Sequence, residues 1–220
     1  MISDFRADGD EPGYFGLYPA LVTDLVDPDN LGRIEVKLPW LGGAGADVRA
    51  WATLLTPYAD NDQGFEVLPE VDSQVVVGFE AGDPRRPYIV GCAWNGTRSP
   101  PESPEQANNK RLWQSRAKSR FEFDDTQGAA KVTISMQSGH QVVLDDAAGE
   151  ILIKHSGGSL IKIDISGTIT ITANATVEVN ASAVNVHTPM ATFDGVVQCQ
   201  TLIANAVVSS SYTPGAGNVW

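Results

Sequence analysis

The stretch from Leu160 to Ala183, LIKIDISGTITITANATVEVNASA, constrains this chain more than any other. From Ile161 to Ala183 every odd position is apolar or glycine, and every even position from Lys162 to Ser182 is polar. A period of two places the two sets on opposite faces of an extended backbone, so the stretch predicts β structure with one dry face. A 3.6-residue period would scatter the isoleucines around a helix, which excludes one. Strands average about 5–6 residues, and some 20 extended residues would span about 65 Å, too long for a domain of this size. The chain must therefore bend. Large side chains come in groups (Ile161 to Ile165, Ile169 and Ile171, Val177 and Val179) separated by Gly167, by Ala173 and Ala175, and by Ala181 and Ala183. The groups recur at steps of eight residues, with little hairpin chemistry between most of them. This predicts flat faces joined at tight corners where small residues fit, a β-helix or prism stacked along an axis.

A strip with one dry face has to bury it. Alone, the segment could make about three coils of a single-chain β-helix with open ends and exposed edges. Three copies around one axis would close a triangular prism, with dry faces inward and Thr, Ser and Asn outward. An intertwined homotrimer is therefore the expected arrangement. Its core would be Ile151, Ile153, Ile161, Ile163, Ile165, Ile169, Ile171, Val177, Val179, Val184 and Val186. Hexapeptide-repeat proteins fit less well, because their period is six.

The front of the chain reads differently. Residues 1–16 are an acidic, Gly/Pro-rich arm. Leu17–Val26 and Arg33–Leu38 flank the turn Asp27-Pro28-Asp29-Asn30, and further strands are expected at Arg49–Leu55, Gln74–Glu80 and Tyr88–Ala93. Five short strands without helix over residues 17–96 predict a small closed barrel of the oligonucleotide/oligosaccharide-binding (OB) type. Residues 97–117 are expected to be linker. Around Trp113, Lys110, Arg111, Arg116, Lys118 and Arg120 form a basic stretch, read as a solvated, linker-proximal strand rather than a phosphate or partner site. The shaft would occupy 118–209. It contains a repeat, FEFDDTQG and VVLDDAAG, with a degenerate third copy, IKIDISGTITI, around Asp164 and Gly167; the paired Asp residues lack the further oxygen ligands of a calcium loop and read as turns. Residues 210–220 would form a tail at the tip.

Net charge −12 argues against a general nucleic-acid binder. The N-terminus lacks the basic and apolar regions of a secretory signal, and no apolar run reaches the roughly 20 residues of a membrane span. Cys92 and Cys199 are expected to be reduced and buried, as in a protein made in a reducing cytosol. Trp40, Trp51 and Trp94 could offer stacking faces to a glycan but are read as buried barrel aromatics. The alternative of a polysaccharide-degrading β-helix would need converging catalytic groups. The late shaft offers Asp164, Glu178 and Asp194 without nearby cations.

Several segments resemble the central spikes of contractile phage tails (baseplate assembly protein V) and the valine–glycine-repeat spikes of type VI secretion and phage-tail-like injection systems. They are Leu31-Gly32-Arg33-Ile34-Glu35-Val36-Lys37-Leu38-Pro39-Trp40, Trp51-Ala52-Thr53-Leu54-Leu55, the run LPEVDSQVVVGFEAGDPRRPYIVGCAWN from Leu68 to Asn95, and the sequels SRFEFDDTQG and GHQVVLDDAAG. The resemblance implies a non-enzymatic homotrimer with barrels at the base and a needle that pierces the target envelope when a sheath contracts. It would be a component of a virion baseplate or a phage-tail-like particle, made in the bacterial cytoplasm. About 16 residues precede the barrel, so the tail hub is expected to be another chain, as in phages. No inserted lysozyme domain is expected. Some spikes hold iron through a His-x-His pair, but His140, His155 and His187 are separated in sequence, so neither metal nor cofactor is expected. The resemblance also implies a small cone-shaped tip protein, docked on Tyr212, Pro214, Val219 and Trp220.

Overall fold

A computed structural model describes residues 13–43 and 46–211. It divides between Thr172 and Ala173 into two units. The first contains a closed barrel and a seven-stranded sheet.

The barrel is built from β1 (Tyr18–Asp24), β2 (Arg33–Lys37), β3 (Arg49–Leu54), β6 (Gln74–Phe79) and β7 (Pro87–Cys92), in the order β1-β2-β3-β7-β6. Every pairing is antiparallel except that of β3 with β7, which closes the barrel. The five strands match the sequence expectation, and their alternation supplies the interior. Ala20, Val22, Ile34, Val36, Leu38, Ala52, Val75, Val77 and Ile89 form one buried cluster. The long β3–β6 connection carries a two-residue hairpin, β4 (Ala59–Asp60) with β5 (Gln63–Gly64).

Asp27 organises the β1–β2 turn. Its carboxylate accepts the backbone N–H groups of Asp29, Leu31 and Arg33 and a two-pronged bond from the Arg33 guanidinium. The Arg33 side-chain bond, with those backbone donors, holds the carboxyl far below the usual range. On the opposite turn, Asp83 takes the Arg85 side chain and N–H, and its pKa falls to about 2.

The second sheet runs β8 (Lys110–Gln114), β9 (Arg120–Asp124), β10 (Lys131–Ser135), β11 (Gln141–Asp145), β12 (Glu150–Lys154), β13 (Leu160–Ile163) and β14 (Ile169–Thr172), each antiparallel to the next. β8 lies inside the stretch read as linker and is the strand expected around Trp113. Ahead of it Glu102 accepts from Arg120 and Lys110, tying the preceding segment to the sheet. Trp113 meets Phe65 of the β3–β6 connection at 6.3 Å between ring centroids, and Arg116 pairs with Glu70.

Gly167 is a hairpin reversal within this meander, not a prism corner. Asp164 accepts the N–H groups of Ser166 and Thr168, Gly167 donates to the Asp164 carbonyl, and Gly167 takes φ +80°. The turn is the degenerate third copy of the Asp-Asp-x-x-Gly repeat, and Asp164 plays in it the part that Asp124 and Asp145 play in the other two. The paired Asp positions are likewise turns: Asp124 binds Thr126 and Asp145 binds the Ala148 N–H.

The second unit, as far as Ser211, holds no strand among the described residues, and each of them is exposed. The alternation through Val177, Val179, Val184 and Val186 is present without a ladder. The backbone here bonds locally with serine and threonine hydroxyls, at Met190 and Ser211.

Candidate functional site

Register in the seven-stranded sheet turns the alternation into two continuous rows on one face. One row is Trp113, Phe121, Ile134, Val142, Ile153, Ile161 and Ile171, each directly opposite the next. The other is Arg111, Phe123, Val132, Leu144, Ile151, Ile163 and Ile169. Cross-strand neighbours of this kind are the contacts that stabilise a sheet, and β-branched and aromatic side chains suit them. Yet the face is open. Ile151 is 44% exposed, Ile153 49%, Ile169 64% and Ile171 59%, whereas every fully buried hydrophobic among the described residues belongs to the barrel. The opposite face is mixed, with Leu112, Glu122, Thr133, Val143, Leu152, Lys162 and Thr170 in its central row.

Of the residues expected in a shared core, Ile151, Ile153, Ile161, Ile163, Ile169 and Ile171 therefore lie together on one sheet face. Ile165 stands at the β13–β14 turn, where it crowds Gly149 so closely that a Cβ added there would sit 2.8 Å from the Ile165 Cβ. Val177, Val179, Val184 and Val186 are exposed outside any strand. Tyr212, Pro214, Val219 and Trp220 lie outside the described residues. Sequence reasoning missed the first half of the face, Trp113, Phe121, Phe123, Val132, Ile134, Val142 and Leu144. The period-two signal is there, but turns cut it into five-residue pieces.

Three further readings change. His140 and His155, far apart in sequence, come into ring contact with centroids 4.5 Å apart, because the β10–β11 and β12–β13 turns share one sheet edge. Both Nδ1 atoms accept backbone N–H groups, from Ser156 and Gly157 respectively. Among the described residues no three His, Cys, Asp or Glu side chains group as a metal site. Cys92 and Cys199 are exposed, not buried. Cys92 ends β7 opposite Val75, and neighbouring atoms shield its thiol enough to push its pKa up. The tryptophans divide. Trp40 stacks on Tyr18 at 4.4 Å and donates to the Pro19 carbonyl, and Trp51 lies under the Arg33 guanidinium. Trp94 is exposed beside an open cleft of about 630 Å³ that Pro69, Cys92 and Arg98 also line.

A five-stranded closed barrel followed by a meander with one uncovered apolar face defines an all-β protein whose first domain is an OB-type barrel. Residues 18–94, which span the barrel, match the type VI secretion system/phage-baseplate injector OB domain. The chain is similar to the type VI secretion system spike protein VgrG3 of Vibrio cholerae, 26% identical over 140 residues, which is 62% of this chain and 13% of the relative. It is also similar to the spike protein VgrG5 of Pseudomonas aeruginosa, 31% identical over 101 residues, 43% of this chain and 13% of the relative. A third relative is the actin cross-linking toxin VgrG1 of Vibrio cholerae, 22% identical over 125 residues, 54% of this chain and 11% of the relative. The chain thus spans only a small part of these proteins' length. The resemblance to baseplate and VgrG-type spikes, read first from the sequence, stands on these matches.

Proposed function

We propose that this chain is a spike component of a contractile tail or injection system, acting as a homotrimer that pierces a target envelope mechanically. One observation carries the reading: the sheet presents two seven-residue rows, apolar but for Arg111, and has no buried core of its own. Fully burying an exposed Ile, Leu or Phe side chain contributes about 1.5–3 kcal/mol. At half that gain the two rows contribute about 10–20 kcal/mol per copy, against the roughly 4–15 kcal/mol that association consumes. Three faces turned onto one axis bury all rows and leave each copy equivalent. Val177, Val179, Val184 and Val186 continue the pattern toward a β-helical shaft, in which neighbouring copies supply the ladder partners that one chain lacks.

In this reading the domains are an arm to residue 16, the barrel at 17–96, a linker that ends where β8 begins at Lys110, the shaft from β8 to residue 209 and a tail from 210. The barrel sits on a hub at the tube end, and the tail receives a small tip protein through Tyr212, Pro214, Val219 and Trp220. The working place is a tail baseplate or a phage-tail-like particle, after synthesis in the cytoplasm. Among the described residues no helix is long and apolar enough to cross a membrane. The role is structural, with force supplied by a contracting sheath and no catalytic step assigned to these residues.

Light scattering coupled to size-exclusion chromatography tests the trimer. Three times the chain mass of 23.5 kDa is expected at micromolar concentration. A stable monomer would end this reading.

A further inference from the structure

The meander sorts charge between its two edges. Turns β8–β9, β10–β11 and β12–β13 fall on one edge, and turns β9–β10, β11–β12 and β13–β14 on the other. The first edge carries Arg116, Lys118, Arg120, Lys154 and the imidazoles of His140 and His155, with no carboxylate in its own turns. The second carries Asp124, Asp125, Asp145, Asp146, Glu150 and Asp164 against Lys110 and Lys131. Asp124, Asp145 and Asp164 are engaged in their own turns, while Asp125 and Asp146 stand exposed beyond them. Arg111 reaches Asp125 from within the sheet. On the basic edge Arg120 is taken by Glu102 and Glu122 and Arg116 reaches Glu70, whereas Lys118 and Lys154 are exposed.

We propose that these edges are complementary contact surfaces between copies of this chain, the acidic edge of one meeting the basic edge of the next around a closed ring of three. The inference rests on the trimer reading and specifies how its corners are made. With apolar faces inward and strands stacked along the axis, each sheet's left edge abuts its neighbour's right edge. That contact is heterologous and closes after three. Turns on one edge recur every second strand, about 9–10 Å apart, and the opposite edge is offset by one strand, about 4.8 Å. The acidic turns of one copy therefore fall at heights between the basic turns of the next. Asp125 comes level with the gap between the Lys118 turn and the His140 turn. Asp146 comes level with the gap between the His140 turn and the Lys154–His155 turn. Opposite potentials across such an edge fix partner orientation and register, and the reversed orientation would set like charges together. The apolar rows supply the drive to associate, and the edges select the order.

Three charge-reversed full-length chains test this beside the native one: Asp125→Lys with Asp146→Lys, Lys118→Glu with Lys154→Glu, and all four together. The readout is the concentration at which trimer half-dissociates, in about 50 mM and about 1 M salt. Each single-edge reversal should raise that concentration at least about tenfold in low salt, and high salt should shrink the difference. The fourfold variant should return toward the native value, although it still lacks the Arg111–Asp125 pair, so recovery belongs to the contact between copies. If native chain is trimeric and neither single-edge reversal shifts dissociation, or the fourfold variant fails to recover, edge pairing is wrong and the trimer reading survives. A native chain that is monomeric overturns both.

Discussion

Asp27 shows how much one carboxylate can organise. It is buried at the β1–β2 turn and takes three backbone donors as well as the Arg33 guanidinium, so its ionised form is tied to the folded barrel. Its folded pKa lies below the unfolded value of about 3.9. The stabilisation is therefore complete above pH 4 and is lost as pH falls from there toward the folded value. Asp27→Asn should lower the barrel's melting temperature at pH 7 and flatten the decline in melting temperature between about pH 4 and 2, read by circular dichroism melts. Asp83 shifts in the same direction, but its Arg85 partner is exposed and solvent screens the pair. Asp83→Asn should leave melting at pH 7 nearly unchanged.

At the scale of elements, the hairpin turns of the meander depend on glycine to different degrees. Gly128 and Gly149 both take positive φ, +74° and +60°. A Cβ at Gly128 would meet open space, so Gly128→Ala carries only the left-handed backbone strain of about 1–2 kcal/mol. At Gly149 the same Cβ would also meet Ile165 at 2.8 Å, and Ile165 belongs to the next turn on that edge. Gly149→Ala should therefore destabilise the sheet more than Gly128→Ala, by about 1 kcal/mol or more beyond strain alone. Urea unfolding of the two variants compares them directly; equal midpoints would show that Ile165 moves aside freely. The strands themselves are short, so their stability comes from cross-strand rows more than from length.

At the scale of the molecule, barrel and sheet differ in what they need. The barrel's core residues all lie between Ala20 and Ile89, so it carries its own interior. Its described links to the sheet are an exposed ion pair, Arg116–Glu70, and the Phe65–Trp113 ring contact, both small terms. A fragment of residues 13–96 should fold alone and melt at the barrel's temperature in the full chain, independent of concentration. The full chain should show a second transition that rises with concentration, because copies that associate when folded are stabilised by mass action. Ile161→Asp, in the middle of a row, should abolish that second transition and leave the first in place, as scanning calorimetry would read. An unchanged second transition would show that the rows are not the associating surface.

The sequence by itself determined the five barrel strands, the Asp27 turn, the Asp-Asp turns and the existence of a dry face. Each is written within a few neighbouring residues, by alternation, Gly and Asp. The tertiary structure alone decided that β8 joins the second sheet, and that Trp113 and Phe121 stand in one row with Ile171. It also brought His140 against His155 and left Trp94, Cys92 and Cys199 at the surface. Those outcomes depend on which strand hydrogen-bonds to which, and in what register. A period of two shows that a residue has a face but not which neighbour it meets there.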